Sequence, residues 1–491
     1  MRFYGEKFEW PKFLVEKLKM LSWPELSDEA VRHFKAVIPV AVERRREAYQ
    51  NHEPFQEFLV PAKVKSFCGD FDPLSFNKTC LLDEQSEQYV ARAFGFTPEQ
   101  ARSIERDLLE AIKFQERRTS SEAGGEGDGS EEDKDFFLDV SEKAQNEALI
   151  SYTIGCLIGR WDIRIALDPS LAPKLPNPFD PLPACPPGML VGPDGLPAKP
   201  GGIVSDEWLR ARPDANTLPS KDAVKKPTIP DSEYPLRISW SGILVDDEGH
   251  PEDIVGRVRE ALEVIWKDKA GEIEQEACEI LGVRSLRDYF RKPGNFFAGH
   301  LKRYSKSRRQ APIYWPISTA SGSYTLWLYY HRLTDQTLYT CVNDFVEPKL
   351  KQVAESAGRL CQKSRRSSAE EKELERLSDL ELELKDFRDE LLRIAAFWKP
   401  NLNDGVQITA APLWKLFRHP PWQKTLKETW QKLERGDYDW AHLAYSIWPD
   451  RVREKCKYDK SLAIAHGLEE LYEERPSGSK KKRGGRRGKK Q

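Results

Sequence analysis

Seven cations crowd residues 291–309: Arg291, Lys292, Lys302, Arg303, Lys306, Arg308 and Arg309. The first acid after them is Asp335. An aromatic run follows directly, Ile313-Tyr314-Trp315-Pro316-Ile317. Then come the turn Ala320-Ser321-Gly322-Ser323 and a second run, Tyr324–Tyr330. Lys and Arg neutralise phosphate, and Arg can also read a guanine edge. Aromatic rings beside such cations suit a polyanion with flat bases. The chemistry on offer is therefore nucleic-acid binding. The competing reading is a hairpin packed in a core behind a solvated, charged lead-in. His300 and His331 lie in the same stretch. Neither has a readable carboxylate partner, so each reads as a polar core group or a phosphate contact rather than a base. The candidate DNA contacts are Arg291, Lys292, His300, Lys302, Arg303, Lys306, Arg308, Arg309, Tyr314 and Trp315.

The elements that must carry these residues are readable around them. Two β-prone runs about a Gly/Ser turn predict a hairpin. Before it, Ile254, Val258, Leu262 and Ile265 give one helical stripe, with Gly282 as a stop and Ser285 as the cap of the next helix. After it, Val346, Leu350, Val353, Ala357 and Leu360 repeat at helical spacing, as do Leu377, Leu380, Leu384, Phe387, Leu391, Ile394 and Trp398. Alternating steps of three and four match an a/d seam. The polar turn KSRRSSAEE between them folds the two helices into a hairpin that acts as a spacer or brace. Residues 403–417 read as turn, short strand and helix. Trp422, Trp430, Trp440 and Trp448 stand among charges as core anchors.

Upstream, Ser22-Trp23-Pro24-Glu25 and Thr97-Pro98-Glu99-Gln100 have capping-box spacing. The second predicts an amphipathic helix over 98–117. Arg44, Arg45 and Arg46 fall on a helix around Ala30–Tyr49 and read as a solvated face. Residues 119–135 hold Gly, Ser and acids without a large apolar side chain, and predict a disordered linker. Gly155 and Gly159 predict close helix packing. Eleven prolines between 169 and 200 make 168–235 a loop or extended strap, not a helix. The tail Lys480–Lys490 has eight cations and predicts disorder with non-specific phosphate affinity.

These boundaries predict an α+β protein. A helical connector (1–118) and the acidic linker (119–135) precede a recognition domain with a mixed or antiparallel sheet (136–345). A coiled-coil-like helical hairpin (346–400), a helical C-terminal lobe (401–474) and the basic tail (475–491) follow. The formal net charge is −2, so polyanion binding must come from local patches. Eight scattered Cys with no CxxC pair argue against structural zinc and fit a reducing compartment. No signal peptide and no apolar run near 18 residues predict a cytoplasmic protein without a membrane partner. No Gly-rich phosphate loop, nucleophile elbow or metalloprotease helix motif is present, so no catalytic or metal-binding residues are assigned.

Several strings resemble one known family. They are SYTIGCLIGRW (151–161), WSGILVDDEGHPEDIVGRV (240–258), RSLRDYFRKPGNFFAGHLKRYSKSRRQAPIYWPIST (284–319), SYTLWLYYHRLTDQTLYTCVNDFVEPKL (323–350) and LNDGVQITAAPLWKLF (402–417). They look like the C-terminal half of large adenine-specific DNA methyltransferases of type IIG and of BREX or DISARM phage-defence systems. The run HLKRYSKSRRQAPIYW (300–315) is the most specific part. The resemblance covers most of 136–472, and 75–118 more loosely. It implies a target-recognition domain that follows a catalytic domain, with long paired helices bracing the recognition lobe. It also implies double-stranded DNA as partner and, in the complete enzyme, methyl transfer from S-adenosylmethionine to adenine. This chain lacks the family's methyl-donor motif and its Asp/Asn-Pro-Pro-aromatic motif. The expectation is therefore a subunit of a split enzyme or a piece of a longer one, partnered by a catalytic methyltransferase part and by other phage-defence proteins. The different reading is a stand-alone nucleic-acid-binding or scaffold protein.

Overall fold

The structure, a computed structural model, describes residues 26–54, 58–67, 141–174, 185–211, 228–306 and 309–473. Short pieces at 2–3, 6–7, 88–89, 92–93, 97 and 99–100 are also described. The linker at 119–135, the Ser22 capping box, most of the 98–117 helix and the basic tail lie outside the described residues. Helices with small antiparallel sheets make it an α+β protein. The chain forms two compact units: Met1–Trp240 with Val255–Tyr289, and Ser241–Ile254 with Phe290–Gln491. That division runs inside 136–345, the stretch read as one recognition domain.

In the first unit a short strand pair opens the chain, β1 (Arg2–Phe3) with β2 (Glu6–Lys7). Helices α1 (Asp28–Tyr49) and α2 (Ala62–Phe67) precede the central helix α3 (Glu142–Leu157). Thr97 shows the expected reciprocal cap: its Oγ1 accepts from Gln100 N at 3.2 Å while Gln100 Oε1 accepts from Thr97 N at 2.9 Å. Every residue of α3 from Leu149 to Leu157 is buried, as expected of a helix that is apolar all round. Its Ser151 and Thr153 hydroxyls are satisfied internally, Thr153 Oγ1 by donating to the Ile150 carbonyl at 2.8 Å. Ser151 Oγ donates to the buried Glu53 at 2.5 Å, which also accepts from Arg160 Nη1 at 2.6 Å and Trp161 Nε1 at 3.2 Å. The glycine pair does not bring two helices together. Gly159, at φ +70°, turns the chain back after α3, and Trp161 then seats on Gly155, where a Cβ would lie 2.2 Å from its ring.

Helix α4 (Arg164–Leu167) carries a buried ion-pair knot. Arg164 donates to Asp162 at 2.9 and 2.7 Å, to Asp206 at 2.8 Å and to the Val204 carbonyl at 2.8 Å. The Tyr234 hydroxyl adds a bond to Asp162 at 3.1 Å. The Pro-rich stretch is not wholly a strap. Strand β3 (Ile203–Val204) pairs with β4 (Thr228–Ile229), and helix α5 (Asp206–Ala211) buries Trp208 and Leu209. No proline lies between Pro200 and Pro213, and Ser205 caps this gap by accepting from Trp208 N. The predicted stripe forms α6 (Ile254–Trp266), followed by α7 (Ala270–Leu281), which ends at Gly282 with φ +68°. Ser285 Oγ then caps α8 (Leu286–Arg291) by accepting from Asp288 N at 3.2 Å.

The second unit is built on an antiparallel sheet in the order β5 (Ile243–Val245), β9 (Thr325–Tyr329), β8 (Tyr314–Ser318). The predicted hairpin is β8–β9, in the register Tyr314↔Tyr329, Ile317↔Leu326. Pro316 has no N–H for the ladder, and β8 is an edge strand, where that loss is tolerated. All five residues of β9 are buried, so both faces of this sheet are covered. The turn is pinned at Ser321, whose Oγ donates to Glu383 at 2.6 Å.

The chain continues through α10 (Thr337–Thr340) and a π-helical turn, Cys341–Val346. The Phe345 carbonyl in that turn accepts from the Tyr324 hydroxyl at 3.0 Å. Helices α11 (Glu347–Cys361) and α12 (Ser368–Ala395) form the predicted hairpin. Its seam is buried at Leu350, Val353, Ala357, Leu377, Leu380, Leu384, Phe387, Leu391 and Ile394. The strand read within 403–417 does not exist. That stretch is a 3-10 turn, helix α13 (Val406–Ala410) and a second 3-10 segment, Ala411–Leu416. Helices α14 (Pro420–Arg435), α15 (His442–Ile447), α16 (Pro449–Cys456) and α17 (Lys460–His466) complete the lobe.

Candidate nucleic-acid interface

Helix α9 (Phe296–Arg303) delivers the basic stretch. Its apolar face buries Phe296, Phe297 and Leu301, which leaves Lys302 exposed and Arg303 partly exposed. The chain then makes a two-stranded ribbon, β6 (Ser305–Lys306) with β7 (Arg309–Gln310), in which Lys306 stands opposite Arg309. The ribbon is closed at its base by Ala311 N donating to the Tyr304 carbonyl at 2.9 Å. It is moored at Gln310, whose carbonyl accepts from Gln407 Nε2 at 3.3 Å and whose Oε1 accepts from Thr425 Oγ1 at 3.4 Å. Arg308 lies outside the described residues, as do the side chains of Lys306 and Arg309.

The three ring residues of the candidate set do a different job. His300, Tyr314 and Trp315 are 1, 2 and 0% exposed, which leaves them no surface to offer a ligand. His300 Nε2 accepts from two backbone N–H groups, Ile313 at 3.0 Å and Tyr314 at 3.1 Å. That fixes Nε2 as the unprotonated nitrogen. The ring also stacks on Tyr314 at 4.7 Å and lies 4.6 Å from Tyr304. Trp315 Nε1 donates to the Pro312 carbonyl at 2.7 Å. These side chains weld α9 to β8, and the ribbon emerges between the two welded ends. The aromatics were expected beside the bases; they are instead the foundation of the basic loop.

Arg291 is also spoken for. Its Nε donates to Asp246 at 2.5 Å, and that carboxylate is 1% exposed. Lys292 is exposed. The surface cations are thus Lys292, Lys302 and part of Arg303, beside the exposed but carboxylate-paired Arg291, with the backbone placing Lys306 opposite Arg309 on the ribbon.

The first unit holds a cleft of ≈ 610 Å³, bordered by Arg164, Asp168, Asp206, Glu207, Arg210 and Glu233. Four carboxylates against two guanidiniums make it a poor place for a phosphate backbone. Among the described residues no group of His, Cys, Asp and Glu is arranged to hold a metal ion. No described helix is long and apolar enough to cross a membrane. Sequence reading gave no role to Trp414 or Lys427. With Trp430 they wall a cleft of ≈ 340 Å³ in the C-terminal lobe.

No protein-family model matches the chain. Over 365 residues it is 24% identical to the adenine-specific methyltransferase BrxX of Escherichia coli O9:H4 (strain HS). The match covers 70% of this chain but 25% of that protein. The chain thus spans about a quarter of the length of its curated relative. It is similar to part of that adenine-specific methyltransferase.

Proposed function

We propose that this chain is the DNA-binding, target-recognition part of an adenine-specific DNA methyltransferase in a phage-defence or restriction-modification system. The observation that carries the reading is the ribbon β6–β7. It brings Lys306 and Arg309 opposite each other in a basic stretch and is rooted in a rigid aromatic foundation. A two-stranded ribbon fits the DNA major groove, where Arg can take guanine O6 and N7 together. Lys292, Lys302 and Arg303 then serve the phosphates on either side. The similarity to a methyltransferase supplies the reaction that such recognition would direct.

In this reading the methyl donor, S-adenosylmethionine, belongs to a separate catalytic part. The antiparallel pairing of the strands in the described sheets supports that division of labour. The target adenine reaches that catalytic part by leaving the base stack.

The test is duplex affinity against salt, using a chain that ends at Glu474 so that the basic tail does not contribute. Removing a phosphate contact lowers the slope of log K against log salt by about one. Replacing a base contact costs roughly 1–3 kcal/mol at the preferred site only. Arg303→Ala, Arg308→Ala and Arg309→Ala combined should weaken binding and flatten the slope. An unchanged affinity and slope would make the cluster a solvated face and end this reading.

A further inference from the structure

We propose that the ≈ 340 Å³ cleft of the C-terminal lobe is a nucleotide-binding site, taking one base against its indoles and the attached phosphate on Lys427 and Lys415. The cleft lies where the end of α12, the segment Ala411–Leu416 and α14 meet, and its volume is at the small end of ligand pockets. One helical face supplies most of one wall: Lys427, Trp430, Gln431 and Glu434 recur at steps of three, one and three along α14. Phe397, Pro412 and Trp414 line the cleft from the other elements.

The aromatic walls are held in place. Trp430 is steadied by two neighbouring rings, Phe397 at 6.2 Å and Trp448 at 5.7 Å between centroids. Trp414 has two ammonium groups over its ring, Lys427 at 5.2 Å and Lys415 at 6.0 Å. Indoles beside ammonium groups are the combination that stacks a base and holds its phosphate.

Charge gives the cleft a direction. Arg393 is bound through two bonds to Glu390, at 2.7 and 2.8 Å, so its charge is already balanced. That pairing first, and Lys415 further off at 3.8 Å, holds the Glu390 carboxyl below the usual carboxylate range. Among the described residues no carboxylate pairs with Lys427. Its charge faces the Trp414 ring and no described carboxylate, and so it marks the phosphate end. Gln431 and Glu434 stand at the other end, where acceptors suit an exocyclic amino group and repel phosphate. Lys427 and Glu434 are seven residues apart, about 10 Å along the helix axis, roughly the reach of a nucleotide from base edge to phosphate. This assignment rests on the cleft alone and stands or falls separately from the DNA-recognition reading.

The experiment titrates the full chain with adenosine monophosphate by calorimetry, in parallel with adenosine, inorganic phosphate, a single-stranded tetradeoxyadenylate and the same tetranucleotide set within a duplex. The monophosphate should bind, adenosine should bind more weakly, and inorganic phosphate at equal concentration should not displace the nucleotide. Lys415→Glu with Lys427→Glu, both at exposed positions, should weaken binding by about tenfold or more. Glu434→Lys, also exposed, should alter binding from the base end and reads the site independently if the double variant does not fold. A tetranucleotide that binds more tightly than the monophosphate identifies an unpaired strand as the source, and the reverse order identifies a free nucleotide. The proposal is overturned if the intact chain does not bind the monophosphate. It is also overturned if phosphate alone displaces it, if the tetranucleotide binds the folded Lys415→Glu, Lys427→Glu variant as well as the unaltered chain, or if folded variants bind the monophosphate unchanged.

Discussion

His300 looked like a ligand contact because it sits among cations, yet its partners are two backbone N–H groups more than a dozen residues away. Backbone partners leave no trace in a sequence, so the cations were legible and the role of the imidazole was not. His300→Ala removes the acceptor of both buried donors and leaves a hole beneath Tyr314. It should cost about 2–4 kcal/mol in urea unfolding; a loss under about 0.5 kcal/mol would mean that the weld is dispensable. Arg291 follows the same logic, since its partner Asp246 lies 45 residues earlier. His419 offers a pH test. Its Nδ1 accepts from Trp422 N at 3.4 Å at the start of α14, and burial pushes its pKa below the ordinary 6.5. The folded state therefore binds fewer protons than the unfolded one. The stabilisation is complete above about pH 6.5 and is lost as the pH falls through the lower folded value. His419→Asn keeps a cap and should flatten the melting temperature between about pH 5 and 7. An unchanged pH profile would exclude this contribution.

At the scale of elements, periodicity decided what could be read. The α11–α12 seam was legible because steps of three and four run through two long helices, and each of those positions in α12 is buried. Leu384→Ala, at 0% exposure, should cost about 3 kcal/mol. Leu382→Ala, on the solvent side at 62%, should change stability by less than about 0.5 kcal/mol. Equal losses at the two positions would contradict the seam. The stretch after Trp398 misled for the opposite reason. Val406-Gln407-Ile408-Thr409 alternates as a strand does, with β-branched residues in place. Tertiary bonds override that preference. Asp404 accepts from His442 N and Leu443 N, and Trp398 Nε1 donates to the Thr409 carbonyl at 2.9 Å, closing the segment into helical turns. The Pro-rich stretch misled in a similar way. Counting prolines hid the twelve Pro-free residues 201–212 in which β3 and α5 form.

At the scale of the whole molecule, the α+β class was readable from alternating helical and strand-like runs. The division at residues 240, 254 and 289 was not, because it depends on which distant segments touch. A chain of net charge −2 can hold DNA only by concentrating cations, and the second unit does so along α9 and the β6–β7 ribbon. If those elements recognise a target, the chain must prefer one short sequence, not merely bind duplex DNA. The direct measurement is selection from a randomised duplex pool by the chain ending at Glu474, at a salt concentration that suppresses non-specific binding, followed by sequencing of the retained duplexes. One short motif should be enriched, and Arg303→Ala, Arg308→Ala and Arg309→Ala combined should abolish the enrichment while the fold persists. A pool that emerges without any preferred sequence, or a motif retained unchanged by the triple variant, would contradict target recognition by these elements.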